Sequence, residues 1–318
     1  MPVVAVWAWY AQFSKPAGVD KEVRLRVEKP MNNYAKVAIQ LKEKEIIRSV
    51  EAFTVYHKVT RQPQLYLEGT YALSPSMTFG EICDALKKPI RQMVRMPETN
   101  WARRSANLLE QAEVATAEEY LAEWENPQKY QSEVSFPLPE KGTLEGYLFP
   151  DTYDFPPQFG AENTVRKQLK AFENKVMPHV KNPKTLYRTL IIASLVELEV
   201  AKDEERPMVA GVIENRLLRK MPLQIDAAIN YGIQKWRPLS YDDLKKDGPY
   251  NTYRNLGLPP TPICSPSLKS IQAALNPARH SYLYYVAMPE KYHLFSSTFD
   301  EHRKNIAKRK AALQKLNP

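Results

Sequence analysis

Polar and apolar residues alternate strictly along Glu22-Val23-Arg24-Leu25-Arg26-Val27-Glu28, the period-two signature of a half-buried strand. Asn32-Asn33 precedes apolar positions at Tyr34, Val37, Ala38 and Leu41, and that spacing predicts an amphipathic helix capped by an asparagine side chain. Ile46-Ile47 and Phe53, Val55 and Tyr56 carry the apolar face onward. Leu67–Leu73 reads as a turn and strand, and Thr78 is placed to cap a helix over Phe79–Leu86. Strand, helix, helix, strand, helix is the order of a small α+β module, assigned to residues 20–92.

The remainder, 93–318, opens on the strand-like Gln92–Met96 and runs into an Ala/Glu/Leu-rich helical stretch. Phe136-Pro137-Leu138-Pro139 is stiff and extended. Thr164–Met177 and Lys184–Val200 are helical by composition. Asp203 reads as the N-cap of a helix reaching Lys220, with Pro207 in its tolerated first turn. A proline-rich loop over Tyr250–Pro266 and a short helix over Ser267–Leu275 follow. Tyr282–Ala287 is expected to be a buried strand, and Thr298–Leu316 a last helix that is basic after Glu301.

The chain's start carries a different pattern. Val3–Phe13 is nearly all apolar, ends in Trp, Tyr and Phe, and is followed by Ser14-Lys15-Pro16. It is shorter than the roughly 20 residues of a bilayer-spanning helix, and it lacks the basic flank and cleavage site of a signal peptide. The aromatic belt favours the outer half of a membrane anchor over an apolar strand. The expectation is that residues 1–19 are an incomplete anchor and linker, completed by a segment upstream.

With 318 residues, 43% of them apolar, the chain can bury two cores and is not disordered as a whole. Twenty-six prolines against ten glycines favour rigid connections. A net charge of +9 suits an anionic neighbour, whether headgroups, nucleic acid or a wall polymer, without choosing among them. Cys83 and Cys264 show no metal-ligand spacing and leave a long-range disulfide open.

The densest chemistry lies in Leu190–Val200, apolar on every side and so a core helix. Glu197 shares a face with Leu190, Ala193 and Ser194. Small residues there would leave room for a ligand, and apolar walls would raise the carboxyl pKa as a general acid requires. Glu199 lies about 200° around the helix, so one substrate atom cannot meet both carboxylates. Gln224-Ile225-Asp226 offers two polar groups on one side of an extended segment. Tyr250-Asn251-Thr252-Tyr253 and Gly257-Leu258-Pro259-Pro260 join aromatic faces to amide and hydroxyl groups on a stiff loop, the means by which sugars are held.

Several of these stretches resemble one family in order. Glu145-Gly146-Tyr147-Leu148-Phe149-Pro150-Asp151-Thr152-Tyr153 and Ala193-Ser194-Leu195-Val196-Glu197-Leu198-Glu199 are similar to motifs of the MltG/YceG-like endolytic murein transglycosylases. So are Glu205-Arg206, Asn215-Arg216-Leu217, Met221–Asp226, Tyr231-Gly232 and Tyr250–Tyr253. Pro262-Ile263 and His293-Leu294-Phe295-Ser296-Ser297-Thr298 complete the series. The resemblance covers about 140–310 and, through Gly69-Thr70-Tyr71, reaches weakly into a LysM-like module. Pro97-Glu98-Thr99 and Pro30-Met31-Asn32 depart from the family's glycine-bearing turns, which bears on glycan grip by the first module.

The resemblance implies an α+β fold, a small LysM-like N-terminal module followed by a larger mixed catalytic domain. It implies a lyase that cuts the MurNAc-β-1,4-GlcNAc bond of nascent strands and leaves a 1,6-anhydroMurNAc end. Glu197 is the expected catalytic residue. Glu199, Gln224, Asp226, Tyr231, Tyr250, Asn251, Thr252, Tyr253 and Phe295 are expected to bind substrate. No metal or other cofactor is required. The implied partners are peptidoglycan strands, peptidoglycan synthases of the penicillin-binding type and the cytoplasmic membrane through the anchor, with no nucleic acid; the catalytic domain faces outward. The alternatives are a two-carboxylate murein hydrolase and a non-catalytic wall-binding scaffold.

Overall fold

The computed structural model of the chain describes residues 2–63 and 65–316. Contacts divide the chain into two units. One comprises residues up to 94 with 110–115 and 153–160; the other comprises 95–109, 116–152 and 161 onward.

In the first unit, helix α1 (Pro2–Phe13) leads to strand β1 (Val23–Val27), helices α2 (Tyr34–Glu43) and α3 (Val50–Val59), strand β2 (Gly69–Leu73) and helix α4 (Phe79–Ala85). The strands pair antiparallel, from Val23 opposite Leu73 to Val27 opposite Gly69. Leu25, Val27, Tyr71 and Leu73 turn to one core, which Val37, Leu41 and Phe53 complete. Burying each of these large side chains contributes about 1.5–3 kcal/mol. The helix starts follow from capping. Asn33 accepts from the Ala35 amide, Ser49 from Ala52, and Thr78 with Glu81 closes a reciprocal capping box. Helix α1 has 12 residues and leaves Val6 and Trp7 largely exposed. Among the described residues no helix is long and apolar enough to cross a membrane.

Strands β3 (Met93–Arg95) and β4 (Thr152–Asp154) form a second two-stranded sheet. The rest is mostly helical: α5 (Ala102–Gln111), α6 (Ala117–Trp124), α7 (Ala161–Val176), α8 (Leu186–Glu199), α9 (Arg206–Leu218), α10 (Asp226–Gly232), α11 (Tyr241–Lys245) and α12 (Leu268–Leu275). A hairpin of β5 (Tyr284–Ala287) and β6 (His293–Ser296) then precedes α13 (Phe299–Leu316). The whole is α+β. Helix α8 is the axis of the second unit, packed on α9, α10 and α12.

Two local expectations are corrected. Asp203 does not cap α9: it begins a single 3-10 turn ending at Glu205, and its carboxylate instead takes Arg206 Nε at 2.9 Å and the Lys269 ammonium. The predicted buried strand starts two residues late and is only partly buried, because its sheet has just two strands and each is an edge. Cys83 and Cys264 are both free and buried, so the disulfide left open does not form.

Candidate active site

Every residue from Thr189 to Glu197 is buried, which is why α8 shows no polar stripe. Gly146 lets the preceding loop approach it. The glycine has φ +84°, and a Cβ there would lie 2.7 Å from Pro262 and 3.6 Å from Leu190 of α8. The face that seemed in sequence to leave space beside Glu197 is filled from a distance. The Ile263 amide donates to Ser194 Oγ at 3.0 Å, and the Cys264 thiol meets the Ser194 carbonyl.

The Glu197 carboxylate is therefore met by polar and charged groups and not by apolar walls alone. Its Oε2 accepts from the Ser267 amide at 2.8 Å and from Ser267 Oγ at 2.6 Å, and Arg206 Nη1 stands 3.2 Å from Oε1. Arg206 also donates to Ser270 Oγ. Both charges are nearly buried, with side-chain exposures of 6% and 10%. This is a buried ion pair tying α8, α9 and the start of α12 together, costly to break from one side.

Two residues on, Glu199 points the other way, into an open cleft of about 430 Å³. Its Oε2 accepts from the Tyr285 hydroxyl at 3.0 Å. Burial pushes its carboxyl up to about 7; the Tyr285 hydrogen bond opposes that rise, the Asp226 charge adds to it, and Arg216 opposes it again. Asp226 faces the same cleft and accepts from Tyr253 Oη at 2.7 Å. Arg216 is itself pinned, donating through Nε to the Leu283 carbonyl at 2.6 Å and through Nη1 to the Leu223 carbonyl at 2.7 Å. His293 closes one wall, its ring edge-on to Tyr285 and its amide and Nδ1 both bonded to Glu205.

The structure thus brings together Glu199, Gln224, Asp226 and Tyr253. Gln224 and Asp226 are not side by side on an extended segment as expected: Gln224 has φ +54°, and Asp226 is the first residue of α10. Thr252 is buried beneath them, its hydroxyl taking the Ile225 amide at 2.9 Å, so it shapes the turn rather than meeting solvent. Tyr250 and Asn251 line a separate cleft. Phe295 packs tilted against the rings of Tyr282, Tyr285 and His293 and is not among the residues that line this cleft. Arg216, Tyr285 and His293 are not among the site residues expected from sequence, although each stands in a stretch that the motifs or the β-strand pattern mark.

Tyr231 belongs to a second buried carboxyl. Its hydroxyl and the Ala102 amide both donate to Glu145 Oε2, at 3.1 and 3.2 Å. Glu145 is 3% exposed, and burial pushes it up to about 8 against those two donors. Among the described residues no three His, Cys, Asp or Glu side chains converge as a metal-binding group.

This chain matches known proteins across almost the whole of its length. It is 32% identical over 311 residues to the endolytic murein transglycosylase of Streptococcus pneumoniae D39, an alignment covering 87% of this chain and 56% of that protein. It is 39% identical over 170 residues to the endolytic murein transglycosylase of Bacillus subtilis 168, covering 52% of this chain and 47% of that one. The chain therefore spans about half the length of these curated relatives. A 2.6 Å crystal structure of a yceG-like protein from Listeria monocytogenes superposes with a TM-score of 0.60 at 28% identity, covering 90% of this chain and 99% of that one. The sequence model of the YceG-like family matches residues 27–308, and the chain belongs to that family.

Proposed function

We propose that this chain is an endolytic murein lytic transglycosylase in which Glu199, not Glu197, is the acid/base. The observation that carries the assignment is the opposed placement of the two carboxylates. Glu197 spends both oxygens on Ser267 and Arg206, whereas Glu199 opens to a cleft and titrates at about 7. A carboxyl titrating there is partly protonated at neutral pH, so it can give a proton and take one back.

The steps follow from that capacity. Protonated Glu199 delivers its proton to the glycosidic oxygen, the C1–O4 bond breaks, and positive charge develops at C1 and the ring oxygen. Tyr285 and Arg216 steady the carboxylate left on Glu199, and Asp226 supplies negative charge on the same cleft. Glu199 then takes the proton of the muramoyl 6-hydroxyl as O6 closes on C1. The product carries a 1,6-anhydro end, and no water is consumed. Asp226 also supports a second reading, a hydrolase with Asp226 as the partner carboxylate. Mass analysis of the ends released from purified murein separates the two: anhydroMurNAc ends support the lyase, and reducing MurNAc ends overturn it.

The wider setting belongs to the same proposal. A murein substrate places the enzyme on the outer side of the cytoplasmic membrane, and the exposed Trp7 and Val6 of α1 suit an interfacial contact there. The first unit is assigned as the LysM-like glycan-gripping module, and action on nascent strands makes peptidoglycan synthases the natural partners. The names of the relatives support murein as substrate.

A further inference from the structure

A second cleft, of about 520 Å³, opens at the far end of the helix that carries Asp226. Helix α10 begins at Asp226 in the first cleft and ends at Gly232 in the second, a span of about 9 Å at 1.5 Å per residue. Gly232 is required where it stands, because a Cβ would lie 2.9 Å from that of Tyr250, whose ring forms part of the wall. Asn251, the next residue, also lines the cleft. Its side-chain amide donates to the Leu244 and Lys246 carbonyls at 2.9 and 2.8 Å, and the residue is only 4% exposed.

The charge inside is unbalanced in a definite way. Arg237 is neutralised by a two-pronged bond to Asp243, at 2.7 and 2.9 Å. Asp247 is taken by Arg254 at 2.6 Å. Among the described residues neither Lys235 nor Lys246 is paired to a carboxylate, so two ammonium groups face the cleft without counter-charge. Trp236, 45% exposed, stands between Lys235 and Arg237 and is backed by the Trp101 ring at 5.9 Å, the kind of face on which a pyranose ring stacks.

We infer that this cleft is a flanking subsite for the same glycan strand, in which Lys235 and Lys246 bind the carboxylates of a peptide carried by a muramoyl unit beside the cleaved bond. The inference rests on murein being the substrate. The spacing of the two clefts along α10 is about the length of joined sugar rings. The muramoyl lactyl group is where such a strand carries its acidic peptide. Ammonium groups on long stems suit a carboxylate that varies in position along that peptide.

The test compares two soluble strand preparations, one bearing peptides and one stripped of them by an amidase. Binding of each is measured to the native chain and to the double variant Lys235→Gln/Lys246→Gln, with release of anhydro ends followed in parallel. Both lysines are exposed, so the variant keeps its fold. The expected result is binding weaker by about threefold to tenfold for peptide-bearing strands, on the scale of two exposed ion pairs, and unchanged binding of stripped strands. Equal binding of both preparations by the variant and the native chain, or an equal loss on both, overturns the subsite. Should the native chain bind peptide-bearing strands through these lysines yet release no anhydro ends, the catalytic reading fails and the subsite stands.

Discussion

The Tyr285 hydroxyl donates to Oε2 of Glu199 at 3.0 Å, reaching from the β5–β6 hairpin to the last residue of α8. Two residues earlier the same helix sends Glu197 to the opposite side, into the grip of Ser267 and Arg206. One helix end thus carries two carboxylates in unlike surroundings, one locked in a structural ion pair and one facing an open cleft. The unlike surroundings support the proposed roles, and each part of the proposal can be checked.

Replacing Tyr285 by Phe removes a donor that favours the ionised form of Glu199. The pH at which the rate halves on the alkaline side should move upward by about one unit, since a hydrogen bond of about 1 kcal/mol is close to one pKa unit. The rate at neutral pH should fall severalfold, because the carboxylate formed in the first step loses its support. A pH–rate profile identical to that of the native chain would place Tyr285 outside the reaction.

On the proposed assignment the rate of the native chain should decline as pH climbs past about 7, where Glu199 gives up its proton. Initial rates on solubilised strands between pH 5 and about 9 would show this limb. A flat profile through that range would exclude Glu199 as the acid.

Glu197→Gln should instead weaken the fold. It leaves the nearly buried Arg206 without its full partner, so a loss of about 3 kcal/mol is expected, moderated by Asp203 on the same guanidinium. Urea titration at constant pH measures it. A change under about 0.5 kcal/mol would show that the pair contributes little.

The sequence made α8 legible but not the surroundings of its two glutamates, on which the proposed roles rest, and the reason is physical. An all-apolar run reports that a helix is buried, and the 100° step per residue reports that Glu197 and Glu199 diverge. Neither reports what arrives from other parts of the chain. Ser267 lies 70 residues on and takes Glu197, while Tyr285 lies 86 residues on and reaches Glu199. The caps at Asn33 and Thr78 could be read because their partners are two and three residues away. Tyr250 and Tyr253 looked like one aromatic cluster, yet the turn sends them into different clefts.

Glu145 offers a separate check on stability. Its folded-state pKa of about 8 lies above the ordinary 4.5, so the chain gains stability that is fully present below 4.5 and is lost as pH rises through about 8. The loss should approach about 1.4 kcal/mol per pH unit within that window, with Glu199 adding its own part below about 7. Glu145→Gln removes this group's contribution while keeping a neutral side chain of the same shape. Its stability should therefore vary less between pH 6 and about 9 than that of the native chain. An unchanged slope would mean that Glu145 is ionised at neutral pH in the folded chain.

The most direct measurement compares Glu199→Gln with Glu197→Gln, each shown to be folded at the assay temperature, by the rate at which anhydroMurNAc ends are released from purified strands. Glu199→Gln should lose about a thousandfold, the scale of a positioned general acid and base, while melting no earlier than the native chain. Glu197→Gln should melt earlier yet keep measurable turnover below its midpoint. The reverse pattern, with Glu199→Gln holding more than a few per cent of native activity and folded Glu197→Gln inactive, would return the proton to Glu197 and contradict the assignment.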